Sequence, residues 1–153
     1  MALRGNANQR RARGVAAVEF ALVFPLLLAV VLGIVYYGVV LALQQVLTLA
    51  AQEGARAALR YPLAVNGGTL ADTLDLRVSA ANLAARNTLP EAIAAQIGDG
   101  AVAQPVACTA PAGTQCVQVT LNLPTRALLP VIPLVPVPGT LTGAAVVQLS
   151  PDL

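Results

Sequence analysis

The feature that most constrains this chain is a long hydrophobic segment near its start. From Val15 to Leu43 the sequence runs for 29 residues with one charged side chain, Glu19. A helix needs about 20 apolar residues to cross a bilayer. A soluble helix of this length would carry a polar face, which this segment lacks. We therefore predict one membrane-spanning helix and, from the remaining length, one small domain outside the membrane.

The charge pattern predicts the orientation of that helix. All nine basic residues are arginine, and four of them precede the hydrophobic segment: Arg4, Arg10, Arg11 and Arg13. From residue 14 onward, five arginines stand against seven acidic residues. Positive charge beside a span stays in the cytoplasm, so we expect the N-terminus inside and residues 44–153 outside. A nucleic-acid-binding arm is the alternative interpretation of such a tail, and its position against a membrane span disfavours it.

The hydrophobic segment is too long for a cleavable secretory signal, whose apolar core has about 7–15 residues. Tyr36 and Tyr37 lie about 30 Å along the helix from Val15, where tyrosines sit at the outer headgroup level. The membrane core is then predicted at 17–35. This places Glu19 just inside the cytoplasmic edge.

An acidic residue inside a span is a functional hypothesis by default. The alternative is an interfacial Glu19 that reaches back to Arg11 or Arg13. Pro25, six residues further along, is predicted to kink the helix because it lacks a backbone N–H.

Four features together form a recognisable pattern. A basic leader ends in Gly14, Glu19 and Phe20 follow five and six residues later, Pro25 precedes a leucine-rich run, and residues 50–60 read AAQEGARAALR. This pattern resembles type IV prepilins, and specifically the TadE-like family of tight-adherence pilus assembly proteins. The second part of the resemblance is the EGAR segment, which consists of Glu53, Gly54, Ala55 and Arg56.

The resemblance implies a minor pilin-like protein of the bacterial inner membrane. A prepilin peptidase would cleave after Gly14 and leave Val15 as the new N-terminus. Glu19 and Phe20 would then serve recognition and assembly, with Glu19 paired to the new amine. The implied partners are the peptidase, other pilin-like subunits and the proteins of the assembly platform. The chain would be a substrate of the peptidase and not an enzyme.

Beyond the membrane we predict that the helix continues over residues 44–60, because alanine, leucine and glutamine dominate there. Ala50, Gly54 and Ala58 recur every four residues. Such a stripe permits close helix contact, although an alanine-rich helix also produces it by chance. A second helix is predicted from about Leu70 to Arg86, with Leu70, Leu74, Val78 and Ala81 on its apolar face. A third is predicted to begin at a capping box of Thr88 and Glu91 around Pro90 and to end before Gly98.

The remaining sequence predicts β structure. Apolar and polar residues alternate strictly from Cys116 to Leu123, a partner strand is expected within 101–108, and a third strand within 140–149. Cys108 and Cys116 lie in the part expected to be exported, where paired cysteines usually oxidise. Free thiols are the alternative. A metal site is disfavoured, since the chain has no histidine.

These elements predict an α+β fold: a long N-terminal transmembrane helix that extends into a small extracytoplasmic domain with one or two further helices and a small antiparallel sheet. The predicted parts are a cytoplasmic leader (1–14), the span (15–43), its continuation (44–60) and the domain (61–153). The proline-rich segment 124–139 is neither helix nor central strand. It would lie on the membrane, pack against neighbouring subunits, or cover its own sheet.

No sequence motif for hydrolysis or phosphate binding is present. We therefore expect no enzyme, no cofactor and no small-molecule substrate. The alternative function is a membrane-anchored binding module that is not processed at Gly14.

Overall fold

The computed structural model describes residues 5–60, 70–109, 114–130 and 136–149, with the backbone alone for 5–14 and 70–72. Within these residues the chain is α+β, with one long N-terminal helix, three further helices and one three-stranded antiparallel sheet. The predicted fold class is therefore confirmed. Arg4, the tip of the cysteine loop and the centre of the proline-rich segment lie outside the described residues.

The first helix, α1 (Gly5–Arg60), passes through the hydrophobic segment and continues beyond it without a break. Among the described elements it is the one long and apolar enough to cross a membrane. Only 11% of its most apolar window is buried, whereas the core helix of a soluble domain would be mostly covered. The chain thus has the make-up of a single-pass membrane protein. Pro25 lies within the helix, which persists on both sides of it.

The chain divides into two compact units, Met1–Val40 and Leu41–Leu153. In the first unit nearly every side chain from 15 to 35 is exposed, whereas Tyr36 and Val40 are buried. The second unit contains the rest of α1, all other described helices and the sheet.

Helix α2 (Leu70–Thr88) confirms the second predicted helix but buries a different face. Its buried side chains recur every four residues: Thr73, Arg77, Ala81 and Ala85. Of the predicted apolar face, Ala81 is buried, Leu74 and Val78 are half-buried, and the side chain of Leu70 lies outside the described residues. Leu76 and Leu83 are 47% and 61% exposed. The small side chains face inward because α2 approaches α1 closely, and larger leucines would not fit there.

Helix α3 (Glu91–Ile97) ends before Gly98 as predicted, but its predicted capping box is wrong. Pro90 stands at the N-cap, where a residue without an N–H is tolerated. The hydroxyl of Thr88 instead donates to the carbonyl of Ala84, 2.8 Å away in α2. Thr88 is therefore the last residue of α2 and does not cap α3.

The sheet has the strand order β1-β2-β3 and consists of β1 (Ala103–Ala107), β2 (Gln115–Pro124) and β3 (Thr140–Leu149). Both pairings are antiparallel, and Val119 lies opposite Ala103 on one side and Ala145 on the other. All three predicted strands are confirmed. Cys108 and Cys116 form a disulfide that links the end of β1 to the start of β2, with their Cα atoms 5.2 Å apart.

One face of the sheet is dry and supplies most of the core. Its buried residues alternate along the strands as the period of two requires: Val117, Val119, Leu121, Leu123, Leu141 and Leu149. Gly143 of β3 belongs to this face and lies against the backbone of Leu47 in α1. An added Cβ there would stand 2.5 Å from the Leu47 carbonyl oxygen, so only glycine allows this approach.

Side-chain hydrogen bonds tie α2 to the segment between α3 and β1. The amide of Val102 donates to the side chain of Asn82 in α2 at 3.0 Å, and the guanidinium of Arg86 donates to the carbonyls of Gly98 and Gly100. After β2 a single helical turn, α4 (Thr125–Leu128), opens the proline-rich segment.

Candidate processing and assembly segment

The predicted cleavage point lies inside α1. Gly14 and Val15 are helical, and Val15 is 60% exposed. Arg10, Arg11 and Arg13 also fall within the helix, where only their backbone is described. Processing itself stays a prediction, because a peptidase acts on these residues from outside the chain.

Glu19 stands alone on an apolar surface. Its side chain is exposed, and from residue 15 to residue 52 the sequence contains no other ionisable acid or base apart from the two tyrosines. None of the described side chains forms an ion pair with Glu19, and the ion pair among the described residues joins Arg56 and Glu53. The alternative pairing to Arg11 or Arg13 involves side chains outside the described set.

Two phenylalanines follow this carboxylate along the helix. Phe20 and Phe24 are one turn apart and stack with their ring centroids 5.2 Å apart and an angle of 24° between the planes. Both are exposed, at 65% and 45%. An exposed aromatic pair next to exposed leucines and valines forms a surface that water would disfavour, and hydrocarbon or another helix would cover it.

The EGAR segment lies near the C-terminal end of α1, in the second unit, and has a structural role there. The guanidinium of Arg56 and the carboxylate of Glu53 form the expected pair, with 2.8 Å between Nη1 and Oε1. This pair is exposed and contributes little to stability. Ala55 is 6% exposed.

Gly54 is the residue at which the EGAR segment lies closest to α2 and the sheet. A Cβ at this position would lie 2.8 Å from the carbonyl oxygen of Ala81, 2.8 Å from Cβ of Ala85 and 3.3 Å from Cγ1 of Val119. The stripe of Ala50, Gly54 and Ala58 is buried throughout. The stripe therefore packs inside this chain, against α2 and the sheet.

Arg77 is a buried cation that the sequence did not reveal. It is 5% exposed, its Nη1 donates to the carbonyl oxygen of Ala58 at 2.9 Å, and its Nε donates to Thr73 Oγ1 at 3.3 Å. Ala58 lies in the last turn of α1, where carbonyls have no partner within the helix. A positive group at a helix C-terminus also interacts favourably with the negative end of the helix dipole. Arg77 thus fastens the end of α1 to α2.

The outer face of the sheet carries a shallow groove of about 290 Å³. Its lining is uncharged and contains Ala101, Val102, Gln104, Gln118, Thr120 and Asn122. Such amides and hydroxyls do not provide the acid, base or nucleophile of a catalytic site. Within the described residues no three metal-binding side chains come together.

Residues 14–56 of the chain match the family model of TadE-like proteins. This N-terminal segment is TadE-like. The match begins at the predicted leader glycine and ends at Arg56, the last residue of EGAR, so the predicted resemblance is confirmed from Gly14 to Arg56. A search among curated proteins and a search among solved structures each found no match.

The TadE-like match links the chain to the tight-adherence pilus, and the family is one of structural and not enzymatic proteins. Helices α2 and α3 and the sheet lie outside the matched region.

Proposed function

We propose that this TadE-like chain is a pilin-like component, a pseudopilin, of a tight-adherence pilus assembly system in the bacterial inner membrane. Its arginine-rich leader lies in the cytoplasm and its second unit lies outside. A prepilin peptidase cleaves after Gly14. The processed chain then assembles through α1 with other pilin-like subunits and with the proteins of the assembly platform.

The observation that carries this proposal is the carboxylate of Glu19 on an exposed apolar helix, where no described side chain forms an ion pair with it. A carboxylate at the centre of a span costs about 2.5–3.5 kcal/mol, and less near the edge. Anchoring alone does not require such a residue, and a glutamine or leucine at this position would span the membrane more easily.

Cleavage after Gly14 would supply a positively charged partner for Glu19. It creates an α-amino group on Val15, which is largely protonated at neutral pH. Val15 and Glu19 are four residues apart on the helix, so they share a face and are separated by about 6 Å along the axis. The amine offsets the charge of Glu19 within one chain or between neighbours. Pairing between neighbours would fix the axial register of each incoming subunit.

Cleavage also changes the charge of the protein. The leader contains four of the nine arginines, so the processed chain has five arginines and seven acidic residues. The full chain has a pI of about 8.8, and the processed chain becomes acidic. Loss of the leader removes the positive charge that holds the N-terminus at the cytoplasmic surface.

The experiment is co-expression of the full chain with the prepilin peptidase of a tight-adherence system, followed by intact-mass measurement and N-terminal sequencing. The expected product begins at Val15 and has an acidic isoelectric point. Gly14→Val should block cleavage, whereas the matched leader variant Gly5→Val should be cleaved normally. A stable, uncut N-terminus in the presence of active peptidase contradicts the proposal.

A second arm tests assembly separately from cleavage. Glu19→Gln should abolish incorporation into the pilus machinery, measured by co-purification with other pilin-like subunits. The control Glu53→Gln removes an exposed carboxylate from the same helix and should leave assembly intact. If residues 1–43 can be exchanged for an unrelated anchor without loss of function, the chain is instead an anchored binding module.

A further inference from the structure

The two edge strands of the sheet differ in how they are protected. Strand β1 is five residues long and contains Pro105, and both features discourage pairing with another chain. Strand β3 is ten residues long and contains neither a proline nor a charged side chain. Its residues pair one to one with those of β2, without a bulge. Natural proteins usually protect an edge strand with the features that β3 lacks.

The hydrogen bonds of the sheet show which backbone groups of β3 face away from β2. The amide of Thr120 in β2 donates to the carbonyl of Val102 at 2.8 Å. Successive residues of a strand direct their backbone groups to opposite edges, so the even-numbered residues of β2 face β1 and the odd-numbered ones bond β3. The amide of Thr125 donates to the carbonyl of Gly139 at 3.0 Å and continues this odd-numbered ladder.

The even-numbered residues of β3 therefore direct their amides and carbonyls away from β2, along what we call the open edge of β3. Among the residues that the structure describes, no helix or strand hydrogen-bonds to these backbone groups. All five residues are exposed, and another chain can reach them: Thr140, Thr142, Ala144, Val146 and Gln148. Such a row of free donors and acceptors is a template for one more strand.

The side chains of β3 determine what kind of strand fits this edge. From residue 127 to residue 151 the sequence has no charged side chain, so the edge provides no ion pair to a charged partner. On the face that packs on α1, Ala145 and Val147 are only half-buried. On the other face Ala144 is exposed and Val146 is 60% exposed. An uncharged strand with apolar side chains would cover these residues on both faces.

A second copy of this chain fits the open edge poorly. In its β1 edge, Pro105 faces outward by the same ladder and has no N–H to donate. Pairing β3 with β3 in antiparallel fashion turns the copy by half a turn about an axis perpendicular to the sheet. Residues 47–54 of α1 lie along the sheet, since Leu47 lies against Gly143 and Gly54 against Val119. The two α1 helices would then leave the shared sheet in opposite directions, which does not suit two copies anchored in one membrane. A parallel pairing is less stable per residue.

We propose that the open edge of β3, residues 140–149, binds an uncharged, extended strand of a different protein chain, which joins the sheet as a fourth strand beside β3. The added strand bonds the even-numbered backbone groups and covers Ala145 and Val147. This interaction goes beyond the proposed function. It requires neither cleavage at Gly14 nor entry into a pilus, so the two proposals fail independently.

The test uses the full-length protein in detergent micelles and a synthetic peptide with the sequence of β2, in which Cys116→Ser removes the thiol. Strand β2 is uncharged, alternates apolar and polar residues, and already pairs with the other edge of β3. The control peptide has the same sequence with N-methyl groups on alternate residues, so that one of its edges has no donors. Amide hydrogen exchange is measured residue by residue by NMR, with and without each peptide.

At saturating peptide the amides of Thr142, Ala144 and Val146 should exchange roughly tenfold more slowly. The odd-numbered amides of β3 already bond β2 and should not change, and the N-methylated peptide should have no effect. Ala144→Pro removes one N–H of the open edge and should abolish the slowing at the other two residues. The matched control Ala107→Pro makes the same change at an exposed residue of β1 and should leave the slowing intact. If Ala144→Pro does not fold, Val146→Pro tests the same ladder.

Three results overturn the proposal. If the even-numbered amides of β3 are already protected in the free protein at every protein concentration, the chain covers its own edge. If their protection increases with protein concentration in the absence of peptide, a second copy occupies the edge. If the amides are unprotected and the peptide does not slow their exchange, the edge does not accept a strand.

Discussion

Replacing Gly54 by alanine tests whether the close approach of α1 to α2 holds the second unit together. At an open helix position this change stabilises a helix by about 1 kcal/mol, because glycine is a poor helix former. At Gly54 the new Cβ would stand 2.8 Å from the carbonyl oxygen of Ala81 and 2.8 Å from Cβ of Ala85. Both atoms are fixed to the backbone of α2, so they cannot rotate away and the whole helix must shift.

The magnitude follows from these opposing effects. Overpacking a close contact costs about 1–3 kcal/mol. Two backbone-fixed atoms stand 2.8 Å from the new Cβ, so we expect the upper part of that range, about 2–3 kcal/mol, and the intrinsic helix preference returns about 1 kcal/mol of it. We expect a net loss of about 1–2 kcal/mol in the free energy of unfolding of the second unit. For a unit of this size, that lowers the midpoint of thermal unfolding by roughly 5–10 °C.

The assay is thermal unfolding of the full-length protein in detergent micelles, followed by circular dichroism. The span stays helical in the micelle, so the transition reports the second unit. The control is Gly38→Ala, the same change in the same helix at a position with nothing within 4 Å of the added Cβ. It should leave the midpoint unchanged or raise it. The reasoning is refuted if Gly54→Ala is as stable as the native chain, or if both variants lose stability equally.

Two further predictions concern the second unit. Arg77→Leu removes the buried donor to the carbonyl of Ala58 and should lower the free energy of unfolding by about 1.5–3 kcal/mol in denaturant unfolding. The control Arg56→Leu breaks an exposed ion pair and should lower it by less than about 1 kcal/mol. Equal losses for the two variants would contradict the role given to Arg77. Replacing both Cys108 and Cys116 by serine should cost about 2–3 kcal/mol, as expected for a short closed loop. In the native chain a reducing agent should give the same loss, and it should not affect the double variant; a native chain insensitive to reduction would argue against the disulfide.

The strands could be predicted from the sequence because one face of the sheet is buried and the other is exposed. Val117, Val119, Leu121 and Leu123 alternate with polar residues, and this alternation specifies both the strand and the side that packs. The third strand, β3, has the predicted bounds although it contains Gly143. A lone glycine in a strand signals a close backbone approach, and this signal was available for the contact with Leu47.

The buried face of α2 could not be chosen from hydrophobicity. The leucines at 76 and 83 are exposed, whereas Thr73 and Arg77 are buried. Close packing against the small residues of α1 selects for small side chains, and the buried arginine depends on a free carbonyl at the end of another helix. Neither condition is visible in the local sequence of α2.

The TadE-like segment was predictable from the spacing of its residues along the chain. Gly14, Glu19 and the EGAR residues could be read directly from the sequence, and the family match covers them. The burial of Gly54 and Ala55 could not be read in the same way, because it depends on α2 and the sheet. The expected reaction partners, a peptidase and a neighbouring amine, are outside this chain, and for that reason the fold adds little to this part of the prediction.

The contact between Gly143 and Leu47 has a consequence for the order of folding. It joins β3 to the first residues of the second unit, so the loop that it closes contains nearly the whole of that unit. Such long-range closure is slow compared with local helix formation. In the export that we propose for this unit, α1 would anchor first, and its apolar face that packs on the sheet would stay uncovered until β3 has crossed the membrane. A chain shortened before residue 140 would leave this apolar face uncovered, and we expect such a product to aggregate or to be degraded.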